Sequence, residues 1–281
     1  MSTFETITSP ANPRVRAAAA LRDADARRDT GLTLVDGRRE CERAVAAGAE
    51  VVELFVAVEV FRRSRPGSGA CADWLGSLTA RGTPLTLVAE RPFERLAFGG
   101  RNEGVVAVVR WRAAALPGVT FATDRPVLVI EGVEKPGNLG AILRTADAAG
   151  LAGVVVCDGR TDPANPAVIR ASLGTVFAVP LAVSTTAEAI RWCGDHGRRV
   201  VAATPSGNLL WHEAALAGST ALLLGSEAHG LTSAWQQAAA AGTIAFDTVR
   251  LPMHGVADSL NLSVTAAVLA YEAVRQMERR R

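Results

Sequence analysis

The chain has 281 residues, 49% of them hydrophobic and 21% charged, with a formal net charge of +2. That length supports one large or two medium cores, and this mix of apolar and charged residues describes a globular protein rather than a disordered or fibrous one. No apolar run reaches the roughly 18 residues of a membrane helix, so the chain is not expected to span a membrane.

The N-terminus carries Glu5, Pro10 and Pro13 and no hydrophobic region. A secretory signal is therefore not expected, and the expected location is cytoplasmic. Cys41, Cys71, Cys157 and Cys193 are scattered, with no C-x-x-C pair and no histidine at ligand spacing. They read as buried free thiols, and no metal is expected. Of the 30 basic residues one, Lys135, is a lysine, which leaves 29 arginines. Arginine is the better fork for phosphate, although a coding bias toward arginine produces the same count. Position says more: Arg14, Arg16, Arg22, Arg27, Arg28, Arg38, Arg39 and Arg43 crowd the first 45 residues, and Arg279, Arg280 and Arg281 end the chain. These are candidate phosphate contacts, or, with Asp23, Asp25 and Asp29 interleaved, a solvated helical surface.

From residue 32 short β-rich runs alternate with helical ones. The pattern predicts strand 32–35, a helix over 38–47, strand 51–58, a helix over 72–81, strand 85–88 and strand 104–111. Residues 62–69 (RRSRPGSG) read as a polar loop and 113–123, with Pro117 and Gly118, as a linker. The second half repeats the alternation: strand 127–130, helix 138–149, strand 154–156, helices 167–173 and 186–193, strands 200–203 and 221–224, helix 231–240, strand 244–249 and a last helix running to Met277. Strands apolar on both faces predict a covered parallel sheet, and ligands of such sheets bind beyond the carboxyl ends of the strands. The expected organisation is an α/β domain over 1–112, the linker, and a second α/β domain over 124–281.

Three segments could carry chemistry. In Glu131-Gly-Val-Glu-Lys-Pro-Gly-Asn-Leu-Gly140, a strand leads through Gly137 and Gly140 into a helix, with Asp158 ending the next strand. This invites a dinucleotide-binding reading and a nicotinamide-dependent oxidoreductase, but G-x-G-x-x-G is absent and Pro136 stiffens the turn. Asn138 falls near the start of that helix and Arg144 six residues on, about 600° around it, so the two do not share one face tightly. Arg144 is either functional or an ordinary surface charge. In Leu222-Leu-Leu-Gly-Ser-Glu227-Ala-His-Gly-Leu231, Glu227 stands at the mouth of the sheet, or else satisfies the first turn of the following helix. In Leu251-Pro-Met-His-Gly-Val-Ala-Asp-Ser-Leu-Asn-Leu-Ser263, Asp258 or Ser259 is placed to cap a helix starting near Ser259. Ser259 and Asn261 would then sit in its first turn, either as a plain cap or as a binding loop.

Together, and in this order and spacing, PGNLGAILRTA, LLLGSEAHGL and LPMHGVADSLNLSVTAAVLAYEA closely resemble the three motifs of the SpoU/TrmH-type RNA ribose 2′-O-methyltransferases of the SPOUT class. The N-terminal half, through residues 7–13, 35–40 and 94–104, resembles the family's L30e-like RNA-recognition domain. The resemblance implies a C-terminal trefoil knot, a homodimer formed through the C-terminal domain, RNA (rRNA, first of all 23S, or tRNA) as partner, and S-adenosylmethionine as methyl donor. It assigns catalytic positions to Asn138, Arg144, Glu227, Ser259 and Asn261. Thr204, Leu224, Gly225, Ser226, Leu251, Met253 and Leu260 are assigned to the donor pocket, and Arg14, Arg38, Arg101 and Asn102 to RNA contact. Lys135, Ser226 and Asp36 depart from the residues common at their positions. A non-catalytic RNA-binding protein of the same fold is the alternative, and it predicts broken motifs.

Overall fold

A computed structural model describes residues 4–63, 70–97 and 103–279. In chain order the first half forms β1 (Thr6–Ile7), α1 (Pro13–Ala20), α2 (Ala24–Thr30), β2 (Leu32–Asp36), α3 (Arg38–Ala46), β3 (Glu50–Ala57), α4 (Val58–Arg63), α5 (Ala70–Ala80), β4 (Leu85–Val88), α6 (Glu90–Leu96) and β5 (Val105–Arg110). The second half forms β6 (Ala114–Ala115), β7 (Val127–Glu131), α7 (Pro136–Ala148), β8 (Gly153–Cys157), α8 (Pro166–Ala171), β9 (Leu181–Ser184), α9 (Thr186–Asp195), β10 (Arg199–Ala203), β11 (Leu209–Leu210), β12 (Thr220–Leu224), α10 (Ala234–Ala240), β13 (Phe246–Arg250) and α11 (Leu262–Glu278).

The chain divides into two compact units, Met1–Arg112 with Asp162–Ala178, and Ala113–Thr161 with Val179–Arg281. The first holds a mixed sheet in the order β1-β4-β3-β5-β2. Its core joins Leu34, Phe55, Val106 and Val108 of the sheet to Val15, Ala18, Phe93 and Leu96 of α1 and α6. An expected uninterrupted second domain over 124–281 is corrected here, because residues 162–178 belong to the first unit. Polar anchors explain this. Arg27, buried, pairs with Asp162 at 2.9 Å, Arg170 pairs with buried Asp36 at 2.9 Å, and Thr33 Oγ1 donates to the Ala164 carbonyl at 2.5 Å. Phe177 adds an edge-on contact to Trp111, with centroids 5.2 Å apart. Residues 113–123, expected as a linker, are part of the second unit, with β6 pairing alongside β9 and Leu116 and Phe121 in the core.

The second unit is a parallel sheet in the order β11-β13-β10-β12-β7-β8-β9-β6. β7, β8 and β12 are buried at every residue, which is why their sequences are mostly apolar, with Glu131 and Thr220 at strand ends. The chain steps outward from β7 through β8 to β9, then crosses to β10 and returns so that β12 lies between β10 and β7. Register places Leu224 beside Ile130 and Ala203, and Ala203 beside Val249. The carboxyl ends of these four strands thus open on one edge of the sheet around a switch in strand order, where ligands of open α/β sheets bind.

Some boundaries differ from expectation. α9 starts where predicted because Thr185 and Glu188 form a capping box. The last helix starts at Leu262 rather than near Ser259, because its cap is Asn261, whose side chain accepts the Ser263 N–H. α10 starts at Ala234, three residues late, because Thr232 is held by a carboxylate of β7. β9 was not expected; its four residues are too short to show a period. The loop expected over 62–69 is corrected at its start, where Arg62 and Arg63 close α4, and its remaining residues lie outside the described ones. Cys41, Cys157 and Cys193 are buried free thiols, and burial pushes Cys157 and Cys193 up to about 12. The Cys71 side chain lies outside the described residues. No helix of the described residues is long and apolar enough to cross a membrane.

Arg170→Ala leaves buried Asp36 short of its guanidinium and is expected to cost about 2 kcal/mol or more in chemical denaturation. An unchanged unfolding midpoint would contradict the anchoring of 162–178.

Candidate active site

At the carboxyl edge of the second unit's sheet lies a cavity of about 550 Å³. Its floor and sides are apolar where Leu224, Leu231, Trp235 and Phe246 come up from the sheet and α10, and polar where Thr204, Ser226, Thr232 and Thr248 edge it. All seven residues assigned from sequence to a donor pocket, Thr204, Leu224, Gly225, Ser226, Leu251, Met253 and Leu260, line it, as do Glu227, Asp258 and Ser259. They converge because they follow the ends of β10, β12 and β13. Gly225 is required by the turn: a Cβ there would stand 2.3 Å from the Gly230 carbonyl carbon, where the chain doubles back on itself.

Beside the cavity three motif residues join in one polar cluster. Asn261 Oδ1 accepts from the Ser263 N–H at 2.9 Å and the Ser263 hydroxyl at 2.7 Å, which fixes the amide so that Nδ2 turns inward. That Nδ2 donates to Asn138 Oδ1 at 3.1 Å and to Glu227 Oε1 at 3.2 Å, and Asn138 Nδ2 donates to the same Glu227 oxygen at 2.6 Å. Both amides therefore have a single consistent orientation. Lys135 Nζ lies 2.6 Å from the other carboxylate oxygen, Glu227 Oε2. This ammonium above all, opposed by partial burial and helped by Asn138 and the Leu262 N–H, holds the Glu227 carboxyl below the usual range.

Lys135 is the partner that motif spacing did not single out. It stands at the N-cap of α7, makes no side-chain cap bond, and places a positive charge at the positive end of the helix. The signal for it in the sequence is that it is the single lysine beside 29 arginines.

Arg144 and Ser259 are not part of this cluster. Arg144 lies on the exposed face of α7, outside the cavity, with no ion-pair partner among the described residues, whereas Asn138 on the same helix is buried. Ser259 edges the cavity from an exposed, irregular segment rather than from the first turn of the last helix. Gly137 and Gly140 lie within α7 and do not line the cavity.

In the first unit, the guanidinium of Arg14 is held by Glu5 at 2.6 Å and by Glu53 and Thr86. Arg38 pairs with Glu42 at 2.7 Å. Arg101 and Asn102 lie outside the described residues.

Residues 125–271 match the profile of the SpoU rRNA Methylase family, and residues 12–107 match that of the MRM3-like substrate binding domain. The chain belongs to the SpoU rRNA methylase family. It is 31% identical to the 23S rRNA (uridine(2479)-2′-O)-methyltransferase of Streptomyces viridochromogenes, over 92% of this chain and 88% of that one. Among solved structures, an RNA 2′-O ribose methyltransferase superposes with a TM-score of 0.80 at 37% identity, covering 96% of this chain and 98% of the other. The AdoMet-bound rRNA methyltransferase of Sinorhizobium meliloti superposes with a TM-score of 0.82 at 28% identity, covering 97% and 98%. The fold is thus that of the SpoU methyltransferases, an α/β architecture with a parallel sheet.

Because the folded-state pKa of Glu227 is depressed, its ionisation stabilises the fold above the ordinary carboxylate range, and this contribution is lost as pH falls through the lowered value. Lys135→Ala is expected to bring the Glu227 titration midpoint, followed by carboxyl 13C NMR, back up toward the ordinary value. An unmoved midpoint would mean that the ion pair does not hold the carboxylate.

Proposed function

We propose that this chain is an S-adenosylmethionine-dependent RNA methyltransferase that modifies a ribose 2′-hydroxyl, in 23S rRNA. The observation that carries the reading is the cavity whose rim meets the Glu227–Asn138–Asn261 cluster, in a chain of this family. A volume of about 550 Å³, with an apolar slot and polar edges, suits a nucleoside with an amino acid tail. In this reading Leu224, Leu231, Leu251 and Leu260 sandwich the base, Gly225 allows close backbone approach, and Thr204, Ser226 and Met253 complete the pocket. S-adenosylmethionine, when bound, supplies a methyl group already activated on a sulfonium, so in-line placement of the ribose oxygen provides much of the rate.

The chain's own residues then have to orient the ribose and manage its proton. Glu227, ionised and held by three side chains, and Asn261 shape the rim that the ribose meets. Arg144 is read as the group beside the reacting oxygen, holding the adjacent phosphate and stabilising the developing alkoxide. Its guanidinium, with a pKa above about 12, is a poor base. Its place on the exposed face of α7 requires the ribose to approach over that face. Ser259 is read as a further contact to the ribose.

The finer features follow from the same reading. Residues 1–112 serve as an L30e-like recognition domain, with Arg14, Arg38, Arg101 and Asn102 toward RNA. The segment 251–259 threads a trefoil knot, supported by the insertion of β12 between β7 and β10. Two copies pair through the C-terminal unit, supported by Val264 and Tyr271, which are 46% and 53% exposed one heptad apart on α11. An rRNA substrate puts the protein in the cytoplasm. The choice of 23S over tRNA is supported by the relative from Streptomyces viridochromogenes, matched along most of both chains. The intact Asn138, Arg144, Glu227 and Asn261 speak against a non-catalytic RNA binder.

Mapping 2′-O-methyl marks in total RNA from cells with and without the protein is expected to show loss of one mark in 23S rRNA. Loss in tRNA would overturn the substrate, and no loss the activity. In the purified protein, Arg144→Ala is expected to abolish methyl transfer while leaving donor affinity within about threefold; an active variant removes Arg144 from the mechanism.

A further inference from the structure

Glu131, the last residue of β7, is 3% exposed, does not line the cavity, and has no ion-pair partner among the described residues. Burying a carboxylate without a counter-ion is costly unless donors replace the lost water. Three do. Oε1 accepts from the hydroxyls of Thr186 at 2.7 Å and Thr232 at 2.8 Å, and Oε2 accepts the Thr232 N–H at 2.9 Å. An apolar side chain would fill this place at the end of an apolar strand at lower cost, so the charge needs a reason beyond packing.

The reason lies in what Thr232 terminates. The loop 225–232 contributes Gly225, Ser226, Glu227, Gly230, Leu231 and Thr232 to the cavity wall. It is an arch closed on itself, since Ser226 and Gly230 exchange two backbone hydrogen bonds of 3.0 Å and the His229 N–H donates to Ser226 Oγ at 3.0 Å. Both feet of the arch stand on the end of β7. One is Ser226, packed on Gly132, where φ is +66° and an added Cβ would come within 3.2 Å of the Ser226 Cβ. The other is Thr232, held on Glu131.

We propose that Glu131 is a positioning residue for the methyl-donor cavity: by clamping Thr232 from beneath, its carboxylate sets the height of the 225–232 arch, and with it the cavity wall and Glu227, without touching the ligand. This rests on the reading of the cavity as a donor site. The chemistry also predicts which replacement works. Glutamine can keep its carbonyl oxygen on the Thr232 N–H and turn its amide NH2 toward the two hydroxyls, each of which can rotate to accept. Alanine leaves the Thr232 N–H unpaired and the arch without its footing.

The test is calorimetric titration of S-adenosylhomocysteine into the full-length wild type, Glu131→Ala, Glu131→Gln and Thr186→Val, with melting temperatures alongside. Thr186→Val removes a hydrogen bond of the same kind from the same oxygen, but on the α9 side. Expected are a dissociation constant raised about tenfold or more in Glu131→Ala, and one within about threefold of wild type in Glu131→Gln. Thr186→Val should melt earlier yet bind within about threefold of wild type. Wild-type affinity in Glu131→Ala, or a loss in Thr186→Val equal to that in Glu131→Ala, overturns the proposal. Should Glu131→Ala not fold, Glu131→Asp, with its carboxylate drawn back by one methylene, carries the same expectation of weakened binding and the same refutation. Failure of the wild type to bind brings down the reading of the cavity, and this inference with it.

Discussion

The carboxylate of Glu227 is the point on which the second unit's site depends. It gathers Lys135 and Asn138 from the start of α7 and Asn261 from the cap of α11, so a single side chain ties together segments more than a hundred residues apart in sequence. An ionised carboxylate can accept all of these bonds at once, and each donor in turn lowers its affinity for a proton. The cost of fixing three flexible side chains is shared across one network, which is how a cluster at a partly open rim keeps its shape where an isolated surface pair would not.

The sheet makes this meeting possible. β12 enters between β10 and β7, so the turn after it opens where strand order reverses, with Thr204 and Leu251 arriving on one side and Gly132 on the other. The turn is braced by its own contacts. Gly225 lets the chain double back, Ser226 and Gly230 close it, and Glu131 and Gly132 support it. A site whose wall is already built loses little conformational freedom on binding, and that favours both affinity and geometry.

Much of this was legible in the residues. The apolar runs of β7, β8, β10 and β12 announced a covered parallel sheet, and the three motifs marked the cavity's lining. What escaped had physical causes. The cap of the last helix was placed on Asp258 or Ser259 because either can cap, while Asn261 does so in the structure and serves the cluster with the other end of its amide. The excursion 162–178 carries no period or composition that assigns it to the first unit; its anchors, Arg27–Asp162 and Arg170–Asp36, join residues more than 130 apart. The ion pair of Arg14 with the distant Glu53 is likewise invisible in a local charge count. Glu131 and Lys135 belong to the same class, since burial and a partner across the fold give them their meaning.

The central claim is that this rim and cavity direct a methyl group to a ribose oxygen rather than to a base. The most direct measurement incubates the purified chain with tritiated S-adenosylmethionine and 23S rRNA, then hydrolyses the RNA in alkali. A methyl on the 2′-oxygen blocks cleavage of the adjacent phosphodiester, so the account predicts label in alkali-resistant dinucleotides. Label confined to mononucleotides, or none at all, would contradict it.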